Sequence, residues 1–330
     1  MSAEVSPVTK TASKKDKLQK KEHSLQLKVA AKAYSAKYKK KNPGPAYAWP
    51  MGLWFSVFFA VPLLIILCYS FMKRDVYGGV VSEFSLKAYK QMFSPAYGVV
   101  FLRTLVITVI ATVITILISL PCGYAMARSR HQTLLLILVV VPFLTNSLIR
   151  IFAWMTILGD NGMLNMTGKF FFDLWHKIFP GDGTAVFVPG KFMFTKGSVI
   201  LVNIYMYLPY AILPVFTAVD RFDFTLIEAA RDLGASKAKA FWTVSFKLTL
   251  PGLLSGVILT FIPSMGLFFI ADILGGNKVV LVGSLIQDQM TRGNNWPFAA
   301  ALAVVLMILT TLMIVLYRKL TNVKELEGIG

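Results

Sequence analysis

The sequence predicts an all-α membrane protein with six transmembrane helices, which its composition, its long apolar runs and the placing of its charges all indicate. Of its 330 residues, 56% are hydrophobic and 15% are charged, and its mean hydropathy is +0.64. Soluble domains carry about 25% charged residues. The chain therefore has too little polar surface to cover itself in water, and a lipid bilayer is the solvent that fits its apolar runs.

Six apolar segments are long enough to cross a membrane, because a helix needs about 20 apolar residues to span about 30 Å of hydrocarbon. These segments are residues 49–72, 104–127, 133–158, 197–219, 252–273 and 298–317. Charged residues bound several of them, such as Lys73 and Arg74 after the first and Arg318 after the last. Trp296 and Tyr317 stand where an interfacial aromatic belt would lie.

Prolines interrupt most of the predicted spans. They are Pro62, Pro121, Pro142, Pro209, Pro214 and Pro263. Each removes a backbone donor and tends to kink its helix. Transporters use kinked helices around a transport path, but other membrane proteins contain them too. The prolines alone therefore leave open whether the helices surround such a path.

Half of the net charge of +18 lies in the first 48 residues, which contain twelve lysines and three acidic residues. A lysine-rich tail before the first span is what the positive-inside rule produces. A nucleic-acid arm or a contact with lipid headgroups are the alternatives. The interpretation gives a cytoplasmic tail at 1–48, a membrane domain at 49–320 whose loop 220–251 is cytoplasmic, and a cytoplasmic tail at 321–330. No cleavable signal peptide is evident, so the first span is predicted to be retained.

Motifs for catalysis or metal binding are absent from the sequence. The two cysteines, Cys68 and Cys122, lie far apart in apolar runs, and the three histidines are scattered. No Walker A, H-E-x-x-H or G-x-S-x-G pattern occurs. The sequence therefore predicts no catalytic residue, no metal site and no enzyme activity.

The sharpest local pattern lies in the 220–251 loop. Apolar residues recur at helical spacing after Asp223, and Thr225 precedes Glu228 by three residues, which is typical of a capping box. Gly234 is placed to end this helix, and a second amphipathic stretch covers residues 237–246. An interfacial helix pair lying on lipid and a docking element for a cytoplasmic partner both fit this pattern.

In this loop the chain resembles the permeases of bacterial ABC importers. Their signature is Glu-Ala-Ala, three residues, Gly, nine residues, an apolar residue, one more residue and Leu-Pro. Here Gly234 matches, Val244 fits the apolar position and Phe246-Lys247 replaces Leu-Pro, although a proline follows at Pro251. The resemblance implies a coupling helix that contacts an ATPase subunit through Glu228, Ala229, Ala230, Arg231, Asp232 and Gly234.

Four further segments resemble the spermidine/putrescine permeases, in particular the first of the two permease subunits of such systems. They are VPFLTNSLIR (141–150), LGDNGMLN (158–165), PSMGLF (263–268) and NWPF (295–298), with Asn295 where that family has an aspartate. The resemblance implies a type I ABC-importer fold in the bacterial inner membrane, with both termini cytoplasmic. It also implies a second homologous permease, two ATPase subunits that bind ATP and Mg, an extracytoplasmic polyamine-binding protein and contact with membrane lipid, but no nucleic acid and no cofactor in this chain.

A path for a polyamine needs carboxylates and aromatic faces, because the cargo is a polycation. The candidate residues are Asp272 at the end of the fifth span, Asp160, Trp154, Tyr205, Tyr207 and Asn146. Solvated loop positions or ordinary packing are the alternatives for each. Arg150 is predicted to pair with a carboxylate or to line water. Iron, sulfate or another small solute remains an alternative cargo, and an ion-coupled secondary carrier is an alternative mechanism.

Overall fold

The computed structural model of the chain describes residues 44–179 and 187–320, together with position 28. The predicted tail 321–330 and nearly all of the tail 1–48 lie outside the described residues. By its internal contacts the chain divides into two units, residues 1–64 and residues 65–330.

The first unit contains most of the first predicted span. Helix α1 covers Gly44–Phe55, a π-helical turn covers Ser56–Ala60, and α2 begins at Val61 and ends at Ser70, within the second unit. Trp54 and Phe58 are exposed, and their ring centroids lie 4.2 Å apart. The apolar segment Trp49–Ser70 is long enough to cross a membrane, as the hydropathy predicts.

A small hairpin that hydropathy does not predict follows the first span. Strands β1 (Met72–Arg74) and β2 (Val80–Phe84) are antiparallel, and α3 (Lys87–Met92) comes next. Lys73 and Glu83 form an exposed ion pair at 2.7 Å. The Arg74 guanidinium donates a hydrogen bond of 2.6 Å to the Gly293 carbonyl, which ties the hairpin to the loop before the last helix.

Four long helices form the predicted second, fourth, fifth and sixth spans. They are α4 (Pro95–Ala127), α8 (Lys196–Asp220), α11 (Phe246–Gly266) and α13 (Trp296–Leu320). The short α10 (Lys237–Ala240) and a π-helical turn (Phe241–Ser245) continue directly into α11. The fifth span is therefore the helix Lys237–Gly266, which begins and ends earlier than the predicted 252–273.

The third predicted span, 133–158, is two helices and not one. Helix α5 covers Gln132–Leu144 and α6 covers Ser147–Leu158, with α7 (Met163–Ile178) after it. The segments Gln132–Leu144 and Ser147–Ile178 are bent by 91°. The Thr145 hydroxyl donates to the Pro142 carbonyl at 2.6 Å, and Asn146 caps α6 by accepting the Leu148 N–H at 2.8 Å. The asparagine cap, which starts a new helix, explains the break.

Helices α4, α8 and α11 pack into the core of the second unit through small residues. A Cβ added at Gly123 would lie 2.7 Å from a Val215 methyl carbon, and one at Gly252 would lie 2.6 Å from the Pro214 carbonyl oxygen. Small residues allow such close approach, which drives helix association in membranes. Deeper in the bundle, the Asn203 amide and the Ser264 hydroxyl form a buried hydrogen bond of 2.7 Å between α8 and α11.

The Gly252 contact leads to a prediction on stability. Gly252→Ala should lower the free energy of unfolding by about 1–3 kcal/mol, because the new methyl meets backbone and not a flexible side chain. Thermal unfolding in detergent micelles measures the effect. Gly98→Ala is the matched control, since Gly98 is helical and its Cβ would meet nothing within 4 Å. It should be neutral or stabilising. Equal effects of the two substitutions would contradict the close crossing.

Candidate functional site

Helix α9 (Thr225–Asp232) carries the Glu-Ala-Ala residues of the 220–251 loop. The predicted capping box between Thr225 and Glu228 is wrong, because no side chain caps the helix from its N-cap position, Phe224. Asp223 instead accepts the Thr225 N–H at 2.9 Å. This hydrogen bond lowers the pKa of the Asp223 carboxyl below its ordinary value.

The predicted glycine end of α9 is confirmed. Gly234 has φ +85, a conformation that glycine adopts without steric penalty. Its N–H donates to the Arg231 carbonyl at 2.9 Å, and the Ala235 N–H donates to the Ala230 carbonyl at 3.1 Å. These two bonds form a Schellman motif, which satisfies carbonyls at the end of the helix.

The second stretch of the loop is not a separate helix, contrary to the prediction for residues 237–246. Ser236 accepts the Lys239 N–H at 3.3 Å and so starts the long helix that becomes the fifth span. Phe246 and Lys247 therefore lie inside a helix. Lysine at the proline position of the motif leaves this helix continuous, and Pro251 stands further along it.

The Glu-Ala-Ala face is open to the surroundings. None of the α9 residues is buried, and Leu233 is 90% exposed. A surface cavity of about 570 Å³ lies at the turn after the helix. It is lined by Glu228, Arg231, Asp232, Ala235, Ser236 and Lys237. Three of the six predicted contact residues, Glu228, Arg231 and Asp232, thus share one accessible surface that offers charges of both signs.

An aromatic cluster anchors the start of α9 to the rest of the bundle. The Phe224 ring lies 4.3 Å from the Phe222 ring and 6.3 Å from the Tyr124 ring, and the Arg128 guanidinium carbon lies 5.2 Å above it. Tyr124 also packs edge-on against Phe241 at 6.2 Å. The end of α4, the start of α9 and the start of the fifth span therefore meet at one place. This cluster could not be predicted from the sequence, because its members lie in three separate segments.

This anchoring leads to a second prediction. Phe224→Ala should make the 220–251 loop several-fold more sensitive to trypsin at Arg221 and Arg231, because α9 loses its contacts with Tyr124 and Arg128. The rate of loop cleavage, measured beside thermal unfolding, reports the change. Phe93→Ala is the control, because Phe93 is 84% exposed. Unchanged loop cleavage in Phe224→Ala would show that the cluster does not hold α9.

The candidate path residues lie in several places. The Trp154 and Tyr205 rings pack edge-on at 5.4 Å, half-buried against the core. Tyr207 is buried in that core, with 7% of its surface exposed. Asn146 is exposed at the α5–α6 bend. The structure thus brings Trp154 and Tyr205 together.

Asp160 lies outside the core, beside a surface cavity of about 710 Å³. Its carbonyl accepts a hydrogen bond of 3.0 Å from the buried Asn165 amide. The Asn165 side chain also exchanges two hydrogen bonds with the Gly190 backbone, at 3.0 and 2.9 Å. Asn165 therefore ties the start of α7 to the chain around Gly190. This role of Asn165 could not be predicted from the sequence, because its partner Gly190 lies 25 positions away.

Asp272 lies beyond the fifth span, in a π-helical turn (Ala271–Gly275), and not at the end of the span as predicted. Asp288, in helix α12 (Val282–Thr291), is close enough for its charge to act on the Asp272 carboxyl. Partial burial, and then the Asp288 charge, raise the pKa of the Asp272 carboxyl, and Arg292 opposes them. Asp288 and Arg292 form an ion pair of 3.4 Å. The fold thus gives Asp272 a second carboxylate as neighbour, which sequence spacing did not reveal.

A groove runs along α8 and α11 towards the 220–251 loop. It has a volume of about 490 Å³ and extends from Tyr210 to Arg221, with Thr217 and Ser255 among its polar lining residues. Tyr210 also packs edge-on against Phe143 at 4.7 Å. Among the residues that the structure describes, no cluster of three His, Cys, Asp or Glu side chains could hold a metal ion.

Comparison with known proteins identifies relatives over most of the chain. Residues 102–322 match the family described as binding-protein-dependent transport system inner membrane component. The spermidine/putrescine transport system permease protein PotB of Haemophilus influenzae is 38% identical over 280 residues, which cover 83% of this chain and 94% of that protein. PotB of Escherichia coli is 36% identical over the same length, covering 83% of this chain and 98% of its own.

Solved structures support the fold. A bacterial alginate ABC transporter, in complex with an alginate pentasaccharide-bound periplasmic protein, contains a chain that superposes with a TM-score of 0.65 at 12% identity. The match covers 87% of this chain and 96% of that one. At this identity the likeness concerns the fold alone.

Proposed function

The chain belongs to the family of binding-protein-dependent transport system inner membrane components, and we propose that it forms one half of the membrane path of an ATP-driven polyamine importer. The observation that carries this proposal is the exposed helix α9, whose Glu-Ala-Ala face and Gly234 turn project from the bundle while Phe224 anchors it. Such a helix can transmit movement from a partner into the spans.

ATP hydrolysis takes place in another chain under this proposal. Two ATPase subunits bind ATP and Mg, and each receives one coupling helix, α9 from this chain and its equivalent from a second permease subunit. Small side chains at Ala229 and Ala230 allow close approach to the ATPase, and Glu228 offers it a carboxylate. The Phe224 cluster passes the movement to α4 and to the fifth span at once.

The cargo is a polyamine such as spermidine or putrescine, as the names of the relatives suggest. The neighbouring carboxylates Asp272 and Asp288 can attract a polycation where the chain leaves the fifth span. Arg292 beside them weakens that attraction, which favours passage over tight binding. High-affinity capture then belongs to an extracytoplasmic binding protein. With the lysine-rich tail in the cytoplasm, both termini and α9 lie on the ATPase side.

ATP-dependent uptake of radiolabelled spermidine into vesicles tests the proposal. The vesicles contain this chain with the second permease, the ATPase and the binding protein of its own transport system. Uptake should be lost in Glu228→Ala and in Gly234→Val, because the first removes a contact and the second strains a residue at φ +85. Gly98→Ala serves as a control outside the loop, because a Cβ at Gly98 would meet nothing within 4 Å. ATP hydrolysis that responds to the binding protein without spermidine uptake would reject the cargo and keep the importer.

Asp272 gives a prediction with a pH dependence. Asp272→Asn should lower spermidine uptake several-fold while ATP hydrolysis continues, because the path loses a negative charge. Since the pKa of Asp272 is raised, this carboxylate gains its proton earlier than a free aspartate as the pH falls. Wild-type uptake should therefore decline as the pH falls, and the uptake of Asp272→Asn should not show this decline.

The matched control for Asp272 is Glu83→Gln, which neutralises an exposed carboxylate of the hairpin. Its uptake and pH profile should follow the wild type. Wild-type uptake by Asp272→Asn, with an unchanged pH profile, would remove Asp272 from the path.

A further inference from the structure

The Arg150 side chain is a cation whose surroundings, among the residues that the structure describes, contain no anionic partner. Within residues 44–179 and 187–320, no carboxylate lies within ion-pair distance of it. Its Nε atom is buried and has no hydrogen-bond acceptor. Its guanidinium carbon lies 5.6 Å from the centre of the Phe143 ring, which stabilises a cation but does not accept its N–H groups in the way a carboxylate does.

Arg150 lies at a depth in the membrane where an unpaired charge is energetically unfavourable. Helix α5 begins at Gln132, directly after the basic turn that contains Arg128 and Arg130. Its 13 residues extend about 20 Å, so the bend lies about two-thirds of the way across a 30 Å hydrocarbon layer. Arg150 lies in the first turn of α6, just after that bend. Charged side chains at such depth pair with another group or face a water-filled cavity.

Lipid phosphate does not fit as the partner of Arg150. If α5 crosses upright, about 10 Å of hydrocarbon remain beyond the bend, and any tilt of α5 increases that distance. The buried Nε, packed near Phe143, keeps the stem of the side chain from extending freely towards either surface. The acceptor is therefore a protein group or water that is held at this depth.

The surface around Arg150 has the character of a protein contact. Thr145, Asn146 and Ser147 are exposed polar residues at the bend, and they lie between the exposed apolar side chains Leu144 and Ile149. Backbone that leaves the helical pattern at membrane depth is tolerated where protein or a cavity covers it. A second helical subunit packed on the bend would cover these groups.

We propose that an aspartate or glutamate of the second permease subunit pairs with Arg150 inside the membrane and thereby joins the two halves of the transporter at the α5–α6 bend. This inference rests on the proposed function, which supplies the second permease. The cargo is excluded as the partner, because a polyamine is itself a cation and repels the guanidinium. The planar guanidinium fork matches a carboxylate with two parallel hydrogen bonds.

Co-purification with the second permease of the same transport system tests the pairing. That subunit carries the affinity tag, and this chain is either wild type, Arg150→Met, Arg150→Lys or Arg130→Met. Arg150→Met should reduce recovery of this chain about tenfold, because it leaves the partner carboxylate unpaired in the membrane. Recovery of Arg150→Lys should lie between that of the wild type and that of Arg150→Met, since lysine keeps the charge but lacks the planar guanidinium. Arg130→Met, which removes an exposed arginine from the turn before α5, should leave recovery unchanged.

Thermal unfolding of the isolated chain in detergent separates this inference from a structural role. Without its partner Arg150 is an unpaired charge, so Arg150→Met should leave the Tm unchanged or raise it while it weakens the complex. A lower Tm of isolated Arg150→Met would assign Arg150 to internal packing and overturn the proposal. Full recovery of Arg150→Met with lost uptake would also overturn it, in favour of a role in the path. If the wild type recovers no second permease, the proposed function itself fails, and this inference fails with it.

Discussion

The close crossing of α8 and α11 is the contact on which the other features of the second unit depend. At Gly252 the two helices meet backbone to backbone, and no larger side chain fits between them. Further along the same pair, Asn203 and Ser264 share a buried hydrogen bond. Apolar burial does not hold helices together in lipid as it does in water, so small-residue packing and such hydrogen bonds supply the association. The pair therefore acts as a stiff unit that joins the 220–251 loop at one end to the turn with Asp272 at the other.

The 220–251 loop is stiff for a different reason. Asp223 fixes the start of α9, the Schellman motif at Gly234 fixes its end, and Ser236 starts the next helix. Every turn of the loop thus has a local hydrogen-bonding cause. Phe224 adds the one contact that reaches beyond the loop, to Tyr124 and Arg128 of α4. A force on the exposed face of α9 therefore reaches three helices and not only the two that the loop connects.

Hydropathy and glycine patterns predict much of this structure, and they do so for physical reasons. The bilayer requires long apolar helices, so five spans could be located from composition, although with shifted ends. Gly234 could be predicted because few other residues adopt a positive φ. The α5–α6 bend could not, because Pro142 looks like the prolines of helices that stay continuous, such as Pro209 and Pro214 in α8. Whether the helix breaks depends on a capping side chain such as Asn146 after the proline. This signal is weak in the sequence alone.

Candidate site residues were harder to predict than spans, because their role depends on neighbours that are distant in sequence. The contact between Trp154 and Tyr205 depends on the packing of α6 on α8. The proximity of Asp288 to Asp272 depends on the return of the chain after the fifth span. Tyr207 shows the opposite case. It lies one turn before Tyr210, which lines the groove, and yet it is buried in the core. The local segment 225–234 needed no such information, because its hydrogen bonds are formed within a few residues.

The charged residues Arg150 and Asp272 share a structural setting. Each follows a point where a helix in the membrane domain ends early, after α5 in one case and after α11 in the other. Irregular backbone inside a membrane protein has to be covered by protein or by a water-filled cavity. A charge next to such a break is therefore covered by protein or water, whereas a charge on a continuous lipid-facing helix would contact lipid. The α8–α11 pair lies between the two breaks in sequence, so these charged residues are separate from the contact that holds the bundle together.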